Sequence, residues 1–188
     1  MSVSTQQGVI TGHSDTVAEV HANAVFSFAV PTDGRRTLAR AWLWLALASL
    51  IGSGIMSLLL VLSRTPYLQQ IFPLADFFHV ALVVHVDLSV LVWFLAFAGM
   101  LWSLNGSARF TMLAWSGWTG AAAGTAIITL APFFGRGGAI MSNYVPVLED
   151  PLFMSGLTLF GVGFALLVLR SLLTAPKVGM RPDGAVAL

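Results

Sequence analysis

Four long stretches of the sequence carry almost no charge, and a chain that must satisfy all four has few folds open to it. Crossing the hydrocarbon of a bilayer takes about 20 mostly apolar residues in a helix, and residues 38–63, 76–104, 111–134 and 152–173 each meet that requirement. In lipid the backbone must be hydrogen-bonded within the segment, so each run is expected as an α-helix. The intervening "RTPYLQQIFPLA", "NGSARF" and "GRGGAIMSNYVPVLEDP" hold the Gly, Pro, Asn and charged residues that punctuate such spans. The expected fold is all-α: an integral membrane four-helix bundle, with 1–37 a polar N-terminal tail and 174–188 a C-terminal tail.

Composition agrees and narrows function. The chain is 57% hydrophobic and only 9% charged, with a mean hydropathy of +0.86, outside the balance of a soluble domain. A net charge of +1 points to no nucleic-acid partner. With no cysteine there is no disulfide, thiolate metal site, iron-sulfur cluster or covalently attached haem. The first 37 residues lack a basic start and hold Asp15 and Glu19 ahead of any apolar run, so they do not read as a signal peptide. They are expected to have little structure of their own, anchored at most locally through Val25 to Val30, with His13 and His21 in solvent.

Basic residues near the span ends divide unequally. Arg35, Arg36, Arg40, Arg109, Arg170, Lys177 and Arg181 fall at one end, against Arg64 and Arg136 at the other. That bias places both termini inside. Trp42, Trp44, Trp102, Trp115 and Trp118 fall near the same end, where an interfacial aromatic belt is expected. Small residues mark where helices approach closely: Ser49, Ser53 and Ser57 in the first span, Ser116, Gly120 and Gly124 in the third, and Gly156, Gly161 and Gly163 in the fourth. Ordinary bundle packing explains these stripes, and they also suit helices set around a flat cofactor.

The second span raises the functional question, because ionisable side chains in hydrocarbon are costly unless they face protein, water or metal. At 100° per residue, His79 and His85 are turned about 120° apart and offset by about 9 Å along the axis, so they do not ligate one metal together. Asp76, His79 and Asp87 fall within about 60° of one face. Asp76 and His79 lie in the first turn, where helix capping and interfacial water account for them. Asp87 lies deeper, as a protonated acid, an interhelical bond or part of a proton path. His85 shares its face with Phe78, Ala81, Leu82, Leu88, Ser89, Val92, Ala96 and Gly99. Repeated small side chains there leave room for a porphyrin edge, with the imidazole as axial ligand to haem iron and its other nitrogen held by a carbonyl or serine. The alternative is a histidine that hydrogen-bonds two helices together. His85 lies about 13 Å below the start of its span, in the outer half of the membrane.

The run "ALVVHVDLSVLVWFLAFAGMLW", preceded by "GSGIMSLLLVLSRTP" and followed by "NYVPVLEDPLF", resembles the N-terminal part of subunit I of the haem-copper oxidase superfamily, in its branch of cbb-type cytochrome c oxidases and nitric oxide reductases. The resemblance covers residues from about 38 to 173. It implies that His85 is an axial ligand of a low-spin haem b; Ala81, Ala96 and Gly99 on the same face would then line the cofactor, with Ser89 and Ser53 as candidates to hold the ligand and Asp87 either beside it or on a proton path. It also implies a bacterial inner membrane, cytochrome c as indirect electron donor, and oxygen or nitric oxide as terminal acceptor.

Such a subunit has about twelve spans, and its opposite haem ligand and copper-site histidines lie beyond the fourth. Two imidazoles within the spans make no copper site, so this chain is not expected to reduce oxygen by itself. One reading is a split subunit whose other membrane subunits supply the missing helices and the opposite ligand. A second is a haem-free scaffold of a respiratory or photosynthetic complex that keeps the fold. A small transporter or channel is the third, and it would call for broken helices or more deep charges than Asp87.

Overall fold

The computed structural model describes residues 30–67, 76–134, 137–141 and 145–174. His13, His21, Arg136, Lys177 and Arg181 lie outside the described residues. Among the described residues four helical spans are long and apolar enough to cross a membrane, which makes the chain a multi-pass membrane protein. Helix α1 is Gly34–Ser63. The second span, Phe77–Asn105, comprises α2 (Phe77–Val86), a π-helical turn (Asp87–Val92) and α3 (Trp93–Asn105). Helix α4 is Thr111–Phe134 and α5 is Pro151–Thr174.

Neighbouring ends show that the spans run up and down. Arg35 at the start of α1 donates to the Gly106 carbonyl after α3, at 2.7 Å. Arg170 near the end of α5 bonds the carbonyls of Ser107 and Arg109 just before α4. At the opposite end the Arg64 guanidinium lies 4.1 Å from the centroid of the Phe78 ring, and Phe77 meets Phe133 with centroids 5.9 Å apart.

Helix α1 begins before the expected position because Asp33 caps it. The Asp33 carboxylate accepts from the Arg35 amide at 2.9 Å and from Arg35 Nε at 2.9 Å. The side-chain bond from Arg35, more than the backbone one, holds the Asp33 carboxyl below its ordinary pKa. A depressed carboxyl contributes stability above its unfolded value and loses it as pH falls through the folded value. Asp33→Asn should therefore fray the first turn of α1 at neutral pH and abolish the acid-dependent fraying of the native chain. Amide exchange at Arg35 and Arg36, followed below pH ~4, checks both effects.

Helices α4 and α5 make the tightest pair, and glycine is the reason. A Cβ on Gly117 would sit 2.8 Å from the Gly163 carbonyl oxygen, and one on Gly124 would sit 2.6 Å from that of Gly156. Backbones this close gain dispersion contact that a larger residue would forbid. The small-residue expectation is corrected in two places. Ser116 is exposed, and Gly117 takes its place in the seam. Gly161 has nothing within 4 Å of its missing side chain.

Trp42 is a second correction. It is fully buried, packed edge-on to Phe164 at 6.4 Å, and belongs to the core and not to an interfacial belt. Trp44, 66% exposed, keeps the outward position. The last inter-span loop holds a short antiparallel ladder not foreseen in an all-α fold, β1 (Ala139–Ile140) with β2 (Val147–Leu148), pairing Ala139 with Leu148 and Ile140 with Val147. Asp150 ends it by accepting from the amides of Leu152 at 2.8 Å and Phe153 at 3.2 Å. An Asp directly before a Pro that opens a helix is a sequence signal for this cap.

Candidate functional site around His85

Hydroxyls within an apolar span ordinarily bond back to a carbonyl of their own helix. Ser49 does so to Ala46, Ser63 to Leu60, Ser103 to Gly99 and Thr125 to Ala121. Ser53 instead reaches across from α1 to α2. Its hydroxyl donates to the His85 carbonyl at 3.0 Å and lies 2.9 Å from His85 Nδ1. The Ser53 carbonyl is also 2.9 Å from Nδ1.

That last contact sets the imidazole's tautomer. A carbonyl oxygen only accepts, so Nδ1 must carry the proton. In the neutral ring Nε2 is then left with its lone pair, and it has no hydrogen-bond partner among the described residues. A ring nitrogen fixed by a carbonyl while its opposite nitrogen is free is the arrangement in which histidine ligates a metal. His85 is half-buried. The Ser53 contacts hold it against α1.

Immediately after His85 the helix widens into its π turn. The amide of Trp93 bonds the Leu88 carbonyl, five residues back. The Ser89 hydroxyl donates to the His85 carbonyl at 2.8 Å, so that one carbonyl receives hydroxyls from both Ser53 and Ser89. The π turn shifts the register of everything beyond it, as insertion of one residue would. This corrects the expected face. Ala96 is buried in the core, and the space at Gly99 is filled by Trp42, whose ring carbons lie 2.8 Å from where a Cβ would be. Ala81 is likewise fully buried in the bundle. Of the residues expected around the ligand, Ser53 and Ser89 are brought to His85, whereas Ala81 and Ala96 are buried in the bundle and Gly99 lies against Trp42.

Asp87 is 1% exposed, and neither carboxylate oxygen has a hydrogen-bond partner among the described residues. It therefore does not bond His85. It borders an open, apolar groove of about 480 Å³ beside the π turn, lined also by Ser89, Trp93, Phe94 and Val145 but not by His85. An unpaired polar group held in the interior costs about 1–3 kcal/mol. Asp87→Leu should then raise the unfolding midpoint of the detergent-purified chain by several degrees, at about 2–4 °C per kcal/mol for a chain of this size. An unchanged or lowered midpoint would mean that the carboxyl is bonded after all.

Asp76 and His79 stand apart from this site. His79 Nδ1 and Asp76 Oδ1 are 2.6 Å apart, with side chains 43% and 66% exposed. Asp76 occupies the N-cap position but makes no side-chain capping bond, so the expected capping role is replaced by an exposed pair with His79. The two share neither environment nor contact with buried Asp87.

Comparison with known proteins gives relatives of undefined activity. An uncharacterized protein, RP382, of Rickettsia prowazekii (strain Madrid E) is 30% identical over 167 residues, covering 72% of this chain and 31% of that protein. An uncharacterized protein of Aquifex aeolicus (strain VF5) is 35% identical over 136 residues, covering 72% of this chain and 34% of its own length. This chain thus spans about a third of the curated relatives it matches. No family model matches it. No solved structure matches it.

Proposed function

We propose that this chain is one portion of a haem-copper oxidase-like subunit I, in which His85 Nε2 is an axial ligand of a low-spin haem b. The observation that carries the reading is the pinned ring, with Nδ1 held by the Ser53 carbonyl and Nε2 left free. The residues present fit a haem approached from outside the four helices, since the spaces at Gly99 and Ala96 are taken by the core. The opposite ligand and the remaining helices come from other membrane subunits.

When bound, the haem would supply one-electron redox chemistry. Ser53 holds the Nδ1 proton and presents the Nε2 lone pair, and Ser89 and Ser53 both donate to the His85 carbonyl. The surplus of arginine at the end shared by Arg35, Arg109 and Arg170 orients both termini inside a bacterial inner membrane. Electrons would enter from an outer cytochrome c and leave to oxygen or nitric oxide.

The Ser53–His85 bond also favours a second reading, a haem-free scaffold in which this bond ties α1 to α2. The reduced-minus-oxidised spectrum of the complex purified through a tag on this chain separates the two. Low-spin b-type bands support the haem reading, and a complex without haem leaves the scaffold.

A further inference from the structure

The end of the bundle opposite Arg64 gathers Arg35, Arg36, Arg40, Arg109 and Arg170 against a single described carboxylate, Asp33. Arg35 is balanced by Asp33, its Nε lying 2.9 Å from Oδ2. Arg170 has no acidic partner among the described residues, yet it is only 2% exposed. Its Nε donates to the Arg109 carbonyl at 3.1 Å and its Nη2 to the Ser107 carbonyl. A guanidinium has five N–H donors, so these contacts leave donors over and do not neutralise the charge.

Both arginines converge on Gly106. Arg35 Nη1 bonds its carbonyl at 2.7 Å, and Arg170 Nη1 lies 3.5 Å from where a Cβ would stand. Arg35 and Arg170 both line a cavity of about 50 Å³, together with Leu38, Thr111, Ala114 and Trp115. That volume holds a few water-sized groups or the oxygens of one phosphoryl group, and it is too small for a sugar or a nucleotide. The position, at the ends of four spans with an indole in the wall, is where lipid headgroups lie. Basic pockets between spans at this level take anionic headgroups.

We infer that the Arg35–Arg170 cavity binds the phosphate of an anionic phospholipid. The lipid neutralises Arg170, braces the loop at residues 106–110 between α3 and α4, and lays its acyl chains along α1 and α4. The site is independent of His85 and of any haem.

The test is native mass spectrometry of the full chain in detergent, titrated with phosphatidylglycerol and, separately, phosphatidylcholine. Phosphatidylglycerol should bind in one retained copy, with at least tenfold preference over phosphatidylcholine. Arg170→Gln removes the buried charge but risks the fold. Arg35→Gln, at a side chain 28% exposed, is therefore the second variant, and each should weaken retention about tenfold. Arg64→Gln at the far end should leave it unchanged. Equal retention of phosphatidylcholine, insensitivity to Arg35→Gln, or an equal loss in Arg64→Gln overturns the inference. Displacement of the lipid by millimolar inorganic phosphate also overturns it, by showing that the cavity takes free phosphate.

Discussion

In the complex purified through this chain, His85→Ala should abolish the low-spin b-type absorbance while the four helices still insert, and added imidazole should restore part of it. The expectation follows from where the bonds are. Removing the ring takes away the imidazole that α1 pins within the bundle through the Ser53 carbonyl, so the iron would lose its axial ligand from this chain. His79 stands about 9 Å away along the helix, at the exposed end of α2; His79→Ala should leave the bands intact. Ser53→Ala gives a graded control. It removes the hydroxyl but keeps the carbonyl that receives the Nδ1 proton, so the haem should stay, with a shifted midpoint potential caused by the altered ring environment. Full retention of the bands in His85→Ala would leave this residue as an interhelical tie, and a loss of bands in His79→Ala would move the ligand to the other imidazole.

The parts of this site that were legible in the sequence are those governed by composition and simple periodicity. Span positions follow from runs of apolar residues, and the structure moves the expected ends only slightly. The largest difference, at α1, arises because Asp33 and Gly34 form a cap just ahead of the apolar run. Position along a span also identified His85 and the nearby Ser53 and Ser89. Burial was less legible. Trp42 and Trp44 are two residues apart and chemically identical, yet one fills the gap over Gly99 and the other faces outward; only the neighbouring helix decides between them. The π turn was invisible, because no residue type specifies it, and it rotates Ala96 and Gly99 away from the ring with which a uniform helix would align them. A similar one-residue ambiguity hid the third span's seam, where Gly117 and not Ser116 meets α5. The direction of the Ser53 hydroxyl, across to His85 and not back along α1, depends on the distance between two helices, which no single-helix pattern encodes.

The same seam sets the other large effect. Gly163→Leu should prevent α4 and α5 from pairing and yield aggregated protein, whereas Gly161→Leu, two residues away, should be tolerated. A Cβ at Gly163 would stand 2.5 Å from the Gly117 carbonyl oxygen and closer still to the Ala121 amide. Both obstacles are backbone of a helix whose hydrogen bonds are already made, so no rotamer change relieves the clash and the helices must separate. Separation forfeits the dispersion contacts along the whole seam, including the Gly124–Gly156 approach one stretch further along, and no hydrophobic term compensates in lipid. It would also draw Arg170 away from the 106–110 loop, since that arginine rides on α5 two turns beyond Gly163. Overpacking alone costs about 1–3 kcal/mol in a soluble core where side chains can yield, and here the unyielding backbone should carry the loss to the level of the fold. Size-exclusion profiles in detergent compare the variants: a monodisperse Gly163→Leu protein with an unchanged unfolding midpoint would show that α4 and α5 are not held together by this glycine seam.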